Sequence, residues 1–248
     1  MEAYRATQPT LTGIPMAYAG RLDPMASGKL LVLVGDTCKH QSDYHGLDKA
    51  YEVDILVGAH SDSGDVLGIV TEQPRDASGT DWQQLASLLI GEVTLPYPAY
   101  SAKTVSGIPL HTWAVTGRIG EITIPERTST IYRLVIKNIT THHREDIYQY
   151  AIKKISLLPT VTDERKALGN DFRRTDVLAS WSNFKSRGTP ADQFTIVQFS
   201  CICSSGTYMR TLADVIATKA GSRGLAFSIH RTDIGTYGNG TWQQRYTD

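Results

Sequence analysis

Reactive side chains in this chain sit beside residues that turn the backbone. "YAGRLDPMASG" places Asp23 between Leu22 and Pro24. Pro24 fixes its own φ and biases Asp23 toward an extended backbone, which gives the carboxylate a stiff mount. A rigid turn of that kind suits a side chain that must not wander, although Asp-Pro alone is more often just a turn. "DKAYEV" places Tyr51 at the start of a strand, where its ring either packs or offers a stacking face to a nucleobase. "SSGTYMRTL" places Arg210 where a strand gives way to a helix. Arg at such a point pairs bidentately with a carboxylate or a phosphate.

Other stretches are read as structural. "SDSGDVLG" at 61–68 offers Asp62 and Asp65 but lacks the further oxygen ligands of a calcium loop, so it reads as a turn. Cys201 and Cys203 lie in an apolar run and read as core, with no His or Cys pair elsewhere to complete a zinc site. There is no H-E-x-x-H, no Walker loop, and no G-x-S-x-G elbow around Ser101 or Ser204.

The elements that must hold these residues follow from periodicity. "KLLVLVG" at 29–35 is read as a buried strand, and "AYEVDILVG" at 50–58 as the next strand. "DWQQLASLLIG" at 81–91 has helical spacing, an acid at its start and Gly at its end. The prolines between 95 and 110 argue against regular structure there. Alternation predicts strands at 131–140 and 194–203, with strand character again at 225–237. Helices are expected at 144–158 and 208–221, the latter with Leu212, Val215 and Ile216 on one side. Residues 166–190 are polar and yield no clear pattern. Strands outnumber helices and do not alternate with them, which argues for α+β with a largely antiparallel, mixed central sheet flanked by helices.

Bulk properties set the limits. The 248 residues are enough for one substantial core, and 41% hydrophobic with 20% charged residues is ordinary globular composition. No apolar run reaches the length of a membrane span, and the first residues lack a basic-then-apolar leader, so we expect no membrane partner. The three cysteines have no staple-like spacing, which favours a reducing, cytoplasmic setting. Lys plus Arg and Asp plus Glu number 25 each, so no net charge draws the chain to nucleic acid. The charge is uneven, however: residues 51–100 carry one Arg and eight acids, while 101–200 carry fourteen basic and nine acidic residues.

The segments "YAGRLDPMASGKLLVLVGDTCK", "DKAYEVDILVGAHSDSGDVLG", "YPAYSAKTVSGIPLHTWA" and "CSSGTYMRTLADVIATKAG…LAFSIHRTDIGTY", in this order, resemble the TruB-type family of RNA pseudouridine synthases. The likeness runs from about Tyr18 to Tyr237 and fits the small form that lacks a C-terminal RNA-binding module. It implies the pseudouridine synthase fold, with 1–248 as a single catalytic domain. It also implies that Asp23 is the catalytic nucleophile, that Tyr51 stacks on the flipped uracil, and that Arg210 pairs with the carboxylate. By the same likeness, Arg21, Lys39, Lys49, Tyr208 and Arg231 are expected to bind substrate. The family reaction breaks the C1′–N1 bond of a uridine in RNA, turns the base and rejoins it through C5. It needs neither metal nor organic cofactor. The expected partner is an RNA substrate, tRNA at its T-arm loop, met by a monomer.

The chain departs from the family pattern in places. Only "MEAYRATQPTLTGIPMA" precedes "YAGRLDP", without the family's first strand and K-P-x-G-x-[ST], so the expectation is either a recorded start downstream of the true one or a lost N-terminal strand. Ala17-Tyr18-Ala19-Gly20 stands where tRNA-modifying members carry G-H-T-G. Residues 163–193 lie outside the common core, with Arg173 and Arg174 either contacting RNA or packing. The competing readings are an inactive RNA-binding or RNA-chaperone relative, and more remotely a glycoside hydrolase, which would need a second placed carboxylate.

Overall fold

The protein is described by a computed structural model covering residues 5, 7–73, 77, 79–161 and 170–247. Its first strands are short. β1 (Met16–Tyr18) pairs antiparallel with β3 (Val32–Val34), and β2 (Ser27–Gly28) lies between them in sequence. Asp23 sits in the connection from β1 to β2. The run at 29–35 is therefore not the buried strand expected. Only Leu33 in it is buried, while Leu30 and Val34 are exposed. Its partner is a three-residue ribbon rather than the central sheet, so its outer face meets solvent.

The chain continues through β4 (Asp48–Val57), the small pair β5 (Ala59–Ser61) and β6 (Val70–Glu72), α1 (Trp82–Ser87) and β7 (Gly91–Pro96). Asp81 caps α1 by accepting from Gln84 N at 2.9 Å. β8 (Thr104–Val105) and β9 (Ile108–Pro109) form a hairpin inside the region expected to be irregular. Ser106 and Gly107 both take positive φ, as a two-residue hairpin turn of the primed type requires. There follow α2 (Leu110–Val115), β10 (Glu126–His143), α3 (Arg144–Ser156), α4 (Asn170–Ser186), β11 (Gln193–Cys203), α5 (Met209–Lys219), β12 (Gly224–Gly238) and β13 (Thr241–Arg245).

The central sheet has the order β13-β12-β4-β11-β10-β7, all antiparallel. β2 joins it beside β12 in a parallel pairing. α5 covers one region of the sheet with Leu212, Ala213, Ile216 and Ala217, all buried, and Ala217 meets Ile55 beside Gly224. Val215, expected on the same side, is only half-buried. Burying each such aliphatic side chain contributes about 1.5–3 kcal/mol, so this face fixes α5 on the sheet.

α3 and α4 close another part of the core. Ile147, Ala151 and Ile155 recur every four residues along α3, and Val177, Trp181 and Phe184 supply the facing stripe of α4. Trp181 donates through Nε1 to the Val66 carbonyl at 3.0 Å, and Ser180 Oγ accepts from Val70 N at 3.1 Å. α4 is thus tied to the chain around β6. Arg144, buried at the start of α3, binds Glu72, Asp192 and the Phe184 carbonyl, which joins β6, α4 and the approach to β11. Residues 162–169 lie outside the described set. Cys201 and Cys203 are buried in the core.

Candidate active site

The Asp23 loop is fastened from the far end of the chain. Arg231, on β12 and 1% exposed, sends Nε to the Lys29 carbonyl at 2.7 Å. Its Nη1 reaches the Arg21 carbonyl at 3.3 Å and its Nη2 the Gly20 carbonyl at 3.5 Å. The Arg231 carbonyl in turn accepts from Lys29 N at 2.8 Å. Gly28, at φ +100°, makes this approach possible, because an added Cβ would stand 2.2 Å from the Arg231 carbonyl oxygen. Ala26 N closes a turn onto the Asp23 carbonyl at 2.9 Å, just after Pro24.

Arg210 lies in the first turn of α5, 4% exposed. It meets Asp23 with two bonds, Nη2 to Oδ1 at 2.9 Å and Nε to Oδ2 at 3.1 Å. Its remaining donor capacity goes to backbone: Nη1 to the Ser63 carbonyl at 2.9 Å and Nη2 to the Tyr100 carbonyl at 3.2 Å. A second carboxylate, Asp65, stands behind it with Oδ2 3.7 Å from Arg210 Nε. Asp65 is buried, accepting from Ser63 Oγ at 2.6 Å and Leu67 N at 2.9 Å. Burial pushes its carboxyl above the usual range against the opposing pull of Arg210.

Tyr51 lies on β4, directly opposite Arg231 on β12 and Cys201 on β11. Burial pushes its phenol up, and the Arg231 guanidinium works against that shift. Lys49, two residues earlier and 7% exposed, donates to the Leu47 carbonyl and to Ser205 Oγ at 3.4 Å. Burial, then the charge of Arg231, holds its ammonium below the usual lysine range.

Asp23, Tyr51, Arg210, Arg21, Lys49, Tyr208 and Arg231 all line one cavity of about 870 Å³. Tyr208 packs its ring 5.4 Å from that of Tyr97. A smaller cavity of about 350 Å³ shares Gly20, Arg21, Lys49 and Ser205 with the first. Lys39 is the exception among the expected substrate contacts. It is exposed, paired with Asp36 at 2.7 Å, and lines neither cavity. Sequence reasoning missed Asp65, which it took for a turn residue. The sign available was a second carboxylate near a glycine turn, and that sign is weak without the fold. Gly64, at φ +77°, lets this turn pass 3.2 Å from Arg210 Cβ, measured to where a Cβ would stand. Among the described residues, no three His, Cys, Asp or Glu are grouped to hold a metal ion.

The cleft thus sets a carboxylate–guanidinium pair and a phenol on a mixed, mainly antiparallel sheet. The family model described as "TruB family pseudouridylate synthase (N terminal domain)" matches residues 12–153, more than half of the chain, and the chain belongs to that family. It is 26% identical over 239 residues to the tRNA pseudouridine synthase B of Bordetella avium (strain 197N), covering 95% of this chain and 75% of that protein. The tRNA pseudouridine synthase B of Burkholderia mallei (strain NCTC 10247) is 29% identical over 220 residues, 88% of this chain and 54% of that one. The tRNA pseudouridine synthase 4 of Saccharomyces cerevisiae (strain ATCC 204508 / S288c) is 32% identical over 126 residues, 50% of this chain and 31% of its own. The chain therefore spans as little as a third of some relatives it matches and three quarters of another. In fold it is similar to a solved Cbf5–Nop10–Gar1 complex, with a TM-score of 0.50 and 16% identity over 94% of this chain and 44% of that one.

Proposed function

We propose that the chain isomerises a uridine in structured RNA to pseudouridine, with tRNA as the substrate and the T-arm loop as the target. The observation that carries this reading is the bidentate Arg210–Asp23 pair at the base of a cavity that also holds Tyr51. The names of its relatives, which are tRNA pseudouridine synthases, support the choice of RNA.

The chemistry needs few groups. A uridine in a folded loop must leave the stack to be reached, and the cavity of about 870 Å³ has room for an extruded nucleotide. Tyr51 gives the base a planar face. Asp23, aimed by Arg210, acts as the nucleophile, as glycosidase carboxylates act at an anomeric carbon. The C1′–N1 bond breaks and a C1′–C5 bond forms. The C5 proton leaves and N1 gains one, so no atoms are lost. Arg21 and Lys49 line the wall shared by both cavities, and their positive charges suit the phosphates of the strand that carries the base.

The test is an unmodified tRNA transcript incubated with the protein and digested to nucleosides. Pseudouridine appearing at one position supports the reading. Tight binding without conversion would replace it with an RNA-chaperone role.

A further inference from the structure

Arg210 aims Asp23, and two backbone carbonyls aim Arg210. These belong to Ser63 and Tyr100, on separate loops 147 and 110 residues from it. Neither loop is a long regular element, so something must hold both in register with α5.

α4 supplies that hold. Arg173, in its first turn, reaches Asp62 with Nη1 to Oδ2 at 2.6 Å and Nη2 to Oδ1 at 3.3 Å. The same guanidinium lies 4.4 Å over the Tyr100 ring. Tyr100 closes the triangle by donating its hydroxyl to Asp62 Oδ2 at 3.2 Å. Asp62 is the neighbour of Ser63 in the chain, and Tyr100 is itself the residue whose carbonyl Arg210 uses. One side chain thus grips both loops within a residue of the atoms that orient Arg210. The mount is firm, because Trp181 and Phe184 anchor α4 in the core and Trp181 binds the Val66 carbonyl on the same loop as Asp62. Burial and the Asp62 carboxylate push the Tyr100 phenol up, so it stays a donor at neutral pH.

We propose that Arg173 is a positioning residue for the Arg210–Asp23 pair, acting through Asp62 and Tyr100. This makes α4, which lies outside the core expected for the family, a working part of the site. It also assigns Arg173 a different role from the phosphate contact that its charge invites. With its side chain only 14% exposed and its fork closed on Asp62, it has little left to offer a backbone. The proposal rests on the isomerase reading for its effect on rate, but not for its effect on Arg210.

The experiment compares Arg173→Ala, Arg173→Lys and Asp62→Asn with the wild type, each checked by thermal melt. The readouts are the single-turnover conversion rate at saturating protein, the RNA Kd, and hydrogen exchange of the Arg210 Nε–H followed by NMR. Arg173→Ala is expected to slow conversion about ten- to a hundredfold, the size of effect that small misplacements of a reacting group produce, with Kd little changed. Arg173→Lys, which keeps one contact and the charge, should recover part of the rate. Asp62→Asn should reproduce the loss without removing any basic residue, and the double variant should be no slower than the worse single one. The Arg210 Nε–H should exchange faster in each variant. A wild-type rate in Arg173→Ala or, if that variant does not fold, in Asp62→Asn would overturn the proposal. A loss confined to Kd would overturn it too, in favour of a phosphate contact. If the wild type converts no RNA, the isomerase reading falls alone, and unchanged Arg210 exchange would then overturn this proposal.

Discussion

Arg210 meets the Asp23 carboxylate side-on, with Nε 3.1 Å from Oδ2 and Nη2 2.9 Å from Oδ1. Two parallel bonds fix the plane of the carboxylate as well as its distance. Asp65 and two carbonyls hold the guanidinium from the other side, so the aim of Asp23 is set by groups that never touch it.

Asp23→Asn keeps the shape of the side chain and removes its charge. Conversion should stop while the melt and the RNA Kd stay near wild type. Arg210→Ala should also stop conversion, and it should cost about 3 kcal/mol of stability because Asp65 is left buried without a counter-charge. The two activity losses should not add, since the pair works as a unit. Single-turnover conversion beside denaturant melts decides this. Near-normal conversion by folded Asp23→Asn would return Asp23 to the role of a turn residue.

Gly28→Ala tests the fastening of the loop without touching any reactive group. The new methyl would meet the Arg231 backbone at 2.2 Å in a conformation that already disfavours side chains. We expect a stability loss of about 1–3 kcal/mol and a larger fall in conversion than in RNA affinity. Equal falls in rate and affinity would mean that the loop itself binds RNA.

Lys49 should give the complex an alkaline limit. Its folded-state ammonium is held below the usual lysine range by burial and by Arg231, so its charge is lost as pH rises through a value under 10.5. RNA affinity should fall in that window for the wild type and persist in Lys49→Arg, whose guanidinium stays charged. The RNA's own titration is common to both titrations. Parallel curves would remove Lys49 from the RNA contacts.

Asp214 carries an acid-labile share of stability. Burial pushes its carboxyl up, but the His60 ring 3.7 Å away and two hydrogen bonds from Arg223 outweigh this and bring it to about 2. The folded value lies below an unfolded value near ~3.9, so the contribution is fully present above about pH 4 and is lost as pH falls toward 2. At neutral pH it amounts to at most about 2 kcal/mol. Asp214→Asn should lose that amount at pH 7 and show a flatter stability curve between about pH 4 and pH 2. Denaturant melts across that range provide the check.

The family resemblance picked out Asp23, Tyr51 and Arg210, which the structure brings into one cavity; their turn-making and strand-end neighbours say where each side chain is held but not what it does. Asp23 before Pro24 and Arg210 at a strand-to-helix change both carried that information. Asp65 did not: its meaning depends on Arg210, 145 residues onward, and on a glycine turn that reads the same with or without a partner. The run at 29–35 misled because an apolar stretch of that length does not reveal whether its partner is a central strand or a short ribbon. α4 escaped notice although Val177, Trp181 and Phe184 keep helical spacing, because the polar residues on either side of the stripe obscured it in the sequence. Lys39 shows the converse. Its motif pointed at substrate, yet the helical turns that carry it face solvent.

The parallel contact between β2 and β12 joins residues 203 positions apart, Ser27 to His230. During synthesis the Asp23 segment is made about 200 residues ahead of the strand that fastens it. At about 5–20 residues per second, that segment waits roughly 10–40 s for its anchor. Contacts of such long range also slow the search for the native state. Nascent chains therefore carry the carboxylate without its arginines until α5 and β12 have been made. Assembly of the cleft is timed by chain length, and a transcript cut short before β12 yields a product that lacks Arg231, the residue that fastens the Asp23 loop.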